Sequence, residues 1–103
     1  MAEVLLLDDA STDDSRAVAR QTAAAWGREI TVVANRRNSG CVFAQWRRGV
    51  ERATGDWVWI AESDDAADPA LLATLTARIA AAEDIVAVAC DSRAIDAQGA
   101  ELW

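Results

Sequence analysis

Carboxylates gather at two places in this chain, Asp8-Asp9 and Glu62 with Asp64-Asp65, and each group follows directly on an apolar run. Spaced carboxylate oxygens are hard ligands that suit a divalent cation such as Mg²⁺ or Mn²⁺. The sharper of the two is the stretch from Gly55 to Pro69. Trp57, Val58, Trp59, Ile60 and Ala61 form an unbroken apolar run, the pattern of a strand buried on both faces, and Glu62, Asp64 and Asp65 come next. In an open parallel sheet the crevice beyond the carboxyl ends of the strands is where ligands bind. A plainer reading competes, because Ser, Asp and Pro after a strand also make turns and helix caps. Asp68 before Pro69 reads as such a cap, with the proline as the first helical residue.

The rest of the chain repeats this layout. Val4 to Leu7 is an apolar run ending in Asp8-Asp9-Ala10-Ser11-Thr12. Ser11 or Thr12 caps the helix that follows, Asp13 and Asp14 fall in its first turn, and Gly27 stops it. Ala17, Val18, Gln21, Ala24 and Ala25 recur at helical spacing. Ile30 to Ala34 is a β-branched run, and after Arg36-Arg37-Asn38-Ser39-Gly40 a helix is expected over 41–54. Its inward face is expected to carry Val42, Trp46, Val50 and Ala53, with Arg47, Arg48 and Arg52 largely on the solvated side. A further helix runs from Pro69 to about Glu83 on Leu71, Leu72, Leu75 and Ile79, and a fourth strand covers Ile85 to Cys90. The tail from Arg93 to Trp103 has a turn signal at Gly99 and fits a loop or short hairpin.

Strands alternating with helices call for βαβ units, so the expected fold is α/β: three layers, α/β/α, around a mainly parallel, Rossmann-like sheet. On such a sheet Asp8 and Asp9 face the same crevice as Glu62, Asp64 and Asp65. Like charges collected there without a cation cost stability, and a metal ion relieves the conflict. A nucleoside diphosphate held through that ion fits the design, since the metal bridges carboxylates and phosphate oxygens. Carboxylates left over accept from ribose hydroxyls or a base N–H.

With 103 residues, 52% hydrophobic and 26% charged, the chain reads as one small globular domain. A net charge of −7 argues against nucleic acid or an anionic membrane as partner, because both need a broad basic face. Every basic residue is arginine. Cys41 and Cys90 are far apart and beside apolar residues, which predicts buried free thiols and a reducing, cytoplasmic setting. No run approaches the ~20 apolar residues that span a bilayer.

Asp8-Asp9-Ala10-Ser11-Thr12-Asp13-Asp14-Ser15, Asn35 with Asn38-Ser39-Gly40, Gly49 through Gly55-Asp56, and Ala61-Glu62-Ser63-Asp64-Asp65 together resemble the family 2 glycosyltransferases of GT-A fold, in order and spacing. The resemblance implies an inverting transferase that uses a nucleotide-diphosphate sugar (UDP-, GDP- or dTDP-linked) and Mg²⁺ or Mn²⁺, acting on a glycan or lipid-linked acceptor. By that likeness Asp8, Asp9 and Ser11 lie at the nucleotide, Glu62 near the ribose at the first position of an Asp-x-Asp motif, and Asp64 on the metal with Glu62 and Asp65. Glu62 stands where the family usually has Asp, which lengthens the reach by one methylene. Gln45-Trp46-Arg47-Arg48-Gly49 stands where many members carry Ala-Arg-Asn-x-Gly.

The family's central first strand and its acceptor-binding half, with the general base, have no counterpart in these residues. Residues 1–103 therefore read as a truncated donor-binding part that does not transfer sugar alone. Exposed sheet edges in such a part are expected to be satisfied by rearranged pairing or by another subunit, since unpaired edges invite association. Two other readings compete. A phosphoacceptor receiver domain also pairs acids after its first strand, with Asp64 as acceptor, but its late-strand lysine does not exist here. A non-catalytic interaction domain would use the same acids only as caps and solvated turns.

Overall fold

The computed structural model describes residues 3–102; Trp103, at the end of the expected tail, lies outside them. Two compact units divide the chain, Met1–Glu62 and Ser63–Trp103.

The first unit is a βαβα arrangement. Strand β1 is Leu5–Asp8, helix α1 Ser15–Ala25, strand β2 Thr31–Ala34 and helix α2 Val42–Val50. The strands pair in parallel, Leu5 beside Thr31 through Asp8 beside Ala34, so their carboxyl ends coincide. Two bonds extend the ladder: Thr31 N donates to the Val4 carbonyl and Asn35 N to the Asp8 carbonyl. Parallel strands cannot be joined by a tight hairpin, and α1 supplies the crossover.

Helix α1 ends as its glycine predicts. Arg28 N donates to the Ala23 carbonyl and Gly27 N to that of Ala24, while Gly27 takes φ 62°. These are the paired bonds of a Schellman end, which needs a left-handed residue at that position. The inward face differs from the expected one: Ala23 is buried and Ala19 half-buried, whereas Val18 is exposed. Arg16, three residues before Ala19, sets this rotation by reaching the buried carboxylate of Asp8. The helix also starts later than expected, at Ser15. Asp13, not Ser11 or Thr12, makes the local bonds, accepting from the Ser15 amide and hydroxyl.

Helix α2 is likewise turned from its expected face. Gln45 and Gly49 are its buried residues, Val42 and Val50 are exposed, and Trp46 is half-buried with Phe43 edge-on to it at 5.1 Å. The cause is a close approach to β1. A Cβ on Gly49 would lie 2.8 Å from Leu7 Cδ1, so the helix rests on the strand through its smallest residue. Beyond α2, Glu3 accepts from both the amide and the hydroxyl of Thr54, fastening the entry to β1 to the end of the helix.

Trp57 to Ala61 does not form the expected strand. The four residues from Trp57 to Ile60 are each 42–49% exposed, and no other described segment supplies them with a ladder. A β-rich composition marks a segment suited to a sheet, but a strand exists only where a neighbour offers hydrogen bonds. The same holds in the second unit for Ile85 to Cys90, which is irregular, with Val86 almost fully exposed. That unit contains helix α3, Leu71–Ala80. Leu71, Leu75 and Ile79 are its half-buried residues, and Leu72 is exposed. Asp68 sits before the helix rather than capping it, accepting from Ala70 N at 2.7 Å through its side chain and from Leu71 N at 2.9 Å through its carbonyl. The tail folds back as a short hairpin, with Ile95 opposite Glu101, Gly99 at φ 83° and an Arg93–Glu101 ion pair at 2.9 Å. Both thiols are free, as expected, but exposed rather than buried, because neither neighbouring apolar stretch is enclosed.

The observed architecture is thus α/β with a parallel sheet of two strands. Three described residues of the first unit share a left-handed backbone, Ala10 at φ 63°, Gly27 at φ 62° and Gly40 at φ 64°. Gly27→Ala is expected to lower stability by about 1 kcal/mol, and Ala10→Gly to raise it by a smaller amount, since only a residue with Cβ resists this region. Opposite shifts of the urea midpoint, followed by far-ultraviolet circular dichroism, check the pair.

Candidate functional site

At the shared carboxyl end of β1 and β2 the chain builds a polar knot from side chains of three segments. Asp8 closes β1. Consecutive positions of an extended chain point to opposite faces, so Asp8 and its neighbours Leu7 and Asp9 are directed apart. Leu7 lies against Gly49 of α2, and Asp8 meets α1. The Asp8 carboxylate is 4% exposed; Oδ1 accepts from Ser11 N at 3.3 Å, and Oδ2 stands 3.6 Å from Arg16 Nε, an ion-pair distance without a hydrogen bond. Ser11 is therefore the residue that turns the chain away from β1, with Ala10 in the left-handed region to allow it.

Asp9 makes the larger network. Its carboxylate accepts from Asn35 Nδ2, from Ser39 N at 2.9 Å on both oxygens, and from Ser39 Oγ at 2.7 Å. Its carbonyl accepts from Asn38 Nδ2 at 2.9 Å, and the Asn38 oxygen in turn accepts from Gly40 N at 2.8 Å. Ser39 Oγ also receives Gln45 Nε2 from α2 at 3.3 Å. The loop between β2 and α2 is in this way gathered onto one carboxylate. Burial alone would push the Asp9 carboxyl up, but the donors from Ser39, Asn35 and Gly40 outweigh it and hold the group below the usual aspartate range. Asn35, Ser39 and Gln45 were not singled out as site residues from sequence. The signal was present in Asn38-Ser39-Gly40, a polar turn directly after a strand end.

The other acidic group is placed differently. Glu62, Asp64 and Asp65 are all exposed, on an irregular stretch with a turn at Ser63-Asp64. Glu62 ends the first unit and Asp64 and Asp65 begin the second. Among the described residues no three Cys, Asp or Glu side chains stand close enough to form a protein-only metal cage. This donor set still fits Mg²⁺ in the mode that uses one or two carboxylates together with substrate phosphates and waters. Among the described residues no helix is long and apolar enough to cross a membrane.

A parallel βα unit with a tied polar loop at its carboxyl end is a frame for a nucleotide, and the family model for glycosyl transferase family 2 matches residues 2–100. The chain belongs to glycosyl transferase family 2. Membership implies the GT-A nucleotide-sugar transferase fold and a glycosyltransferase type of function. No curated protein and no solved structure matches the chain. In family 2 terms, Asp8 and Asp9 are both at the expected strand end, yet each is engaged by its own protein partners: Asp8 by Ser11 and Arg16, Asp9 by the loop.

Because folding lowers the Asp9 pKa, its contribution is complete above the unfolded value near 3.9 and disappears as pH falls through the folded one. Acidification through that lowered folded value is expected to release the loop. Hydrogen exchange of the Ser39 and Gly40 amides checks this: protection should fall with pH, beyond the intrinsic change in exchange rate. In Asp9→Asn the same amides should be unprotected at neutral pH.

Proposed function

We propose that residues 1–103 form the donor-binding part of a family 2 glycosyltransferase, a domain that holds a nucleotide-diphosphate sugar through Mg²⁺ or Mn²⁺. The observation that carries this reading is the polar knot at the carboxyl end of the parallel pair, in a chain matched by the family model over residues 2–100. Ligands of open α/β sheets bind at this end. The complete fold in this reading is the three-layer α/β/α sandwich, and the parent enzyme transfers the sugar with inversion to a glycan or lipid-linked acceptor.

Asp8 and Asp9 then shape the nucleotide end of the site largely from behind, by fixing the Ser11 turn and the Asn35–Cys41 loop. Ser11 and Glu62 offer polar groups to the nucleotide, with Glu62 toward the ribose. Asp64, supported by Glu62 and Asp65, meets the cation. When bound, that ion would offset the diphosphate charge and favour its departure. The protein would hold the ion jointly with the diphosphate, in the mode where one or two carboxylates act with substrate phosphates.

Titration calorimetry tests the reading. Mn²⁺ alone should give no saturable heat, whereas UDP or GDP with Mn²⁺ should bind, and Asp64→Asn should weaken that binding by at least about tenfold, the loss of one charged ligand contact. Nucleotide binding that ignores Mn²⁺ and survives Asp64→Asn would overturn the metal assignment. Failure of both nucleotides to bind would overturn the donor-site reading.

A further inference from the structure

Gln45 is the buried polar residue of α2, 9% exposed, and its Oε1 is enclosed with no hydrogen-bond donor. Its orientation follows from the proton count at Ser39. A hydroxyl has one proton to donate and two lone pairs to accept with. Ser39 Oγ lies 2.7 Å from the Asp9 carboxylate and 3.3 Å from the Cys41 carbonyl. The shorter, charged acceptor takes the proton. What remains are two accepting positions, matched by Cys41 N and Gln45 Nε2, both at 3.3 Å. The Gln45 amide must therefore turn its nitrogen to Ser39 and its oxygen elsewhere.

The place of this oxygen gives it a use. Gly49, one turn along α2, rests on Leu7 of β1, which sets Gln45 beside the strand's carboxyl end and within one hydroxyl of Asp9. Asp9 itself already receives Asn35 Nδ2, Ser39 N and Ser39 Oγ and has little capacity left to read a ligand. Gln45 Oε1 has all of its capacity free. Enclosure keeps it from water; Gly40 and Cys41, the exposed residues that follow Ser39, are the ones that have to yield for a ligand atom to reach it, with the Ser39–Gln45 bond kept.

We propose that Ser39 fixes Gln45 as a hydrogen-bond acceptor and that this acceptor selects nucleotides whose base presents a ring N–H to it. The proposal rests on the donor-binding reading above and deepens it. Uracil and cytosine separate the alternatives, because the same ring nitrogen, N3, carries a proton in uracil and is an acceptor in cytosine. Cytosine there would set acceptor against acceptor. Bases rejected in this way leave a buried polar group unpaired, which is an effective means of discrimination.

Two measurements test it. In ¹⁵N–¹H spectra of the unliganded chain, one Nε2 proton of Gln45 should be protected from exchange, and Ser39→Ala should abolish that protection. A Gln45 amide with no protected proton would overturn the assigned polarity. By calorimetry with Mn²⁺, UDP should bind at least about tenfold more tightly than CDP. Gln45→Leu should reduce the preference to within about twofold. Equal affinity for UDP and CDP, or a preference that survives in Gln45→Leu, overturns the base selection and leaves the donor-site reading standing. If UDP, GDP and CDP all fail to bind, both fall together.

Discussion

The carboxylate of Asp9 is the point on which the first unit depends. Two strands of four residues make a small sheet, and a pair of strands alone is marginal in water. The entry to β1 is held by Glu3 on Thr54. The carboxyl ends of the strands are held by one acid that collects donors from Asn35 and Ser39, residues 26 and 30 positions away. Bonds of that sequence separation close long loops, and a charged acceptor makes them stronger than neutral ones. Without the charge, the polar loop between β2 and α2 has no fixed end.

Asp8 and Asp9 show how adjacent residues of one type come to do separate work. The pleat turns them apart: one is buried near Arg16 of α1, the other faces the loop that leads into α2. Each acid thereby ties a different helix to the same strand. Gly49 completes the arrangement on the α2 side, because a side chain there would force the Leu7 side chain to move. In the proposed donor-site reading, a ligand at the carboxyl end would meet a strand end and turn already positioned by these contacts. Preorganisation of this kind lowers the ordering cost of binding.

Much of this was legible in the sequence, and what was not has a physical cause. The order strand, helix, strand, helix followed from apolar runs and from Gly27, whose left-handed backbone ends α1 as its position suggests. The hairpin of the tail followed from Gly99. The helix faces do not follow hydropathy. On α1 the inward positions are small alanines aligned with Arg16, and on α2 they are Gln45 and Gly49, chosen by a polar tether and a close approach rather than by hydropathy. Trp57 to Ala61 and Ile85 to Cys90 have strand composition without a strand's hydrogen bonds, since composition carries no information on whether a neighbour is present. For the site, the acids were visible as acids. Their saturation by Asn35 and Ser39 was not, because it is created by residues that become neighbours only when β1 and β2 align.

The half-exposed run from Trp57 to Ile60 has a further consequence for the chain as a material. Aromatic and β-branched residues in succession, with no proline and no charge among them, have the composition of a segment that stacks into fibrils. Asp56 on one side and Glu62, Asp64 and Asp65 on the other flank it as gatekeepers, their mutual repulsion opposing intermolecular stacking. The carboxylates proposed to hold a cation would thus also keep the polypeptide dispersed, and colloidal behaviour and ligand chemistry would be bound to one set of charges.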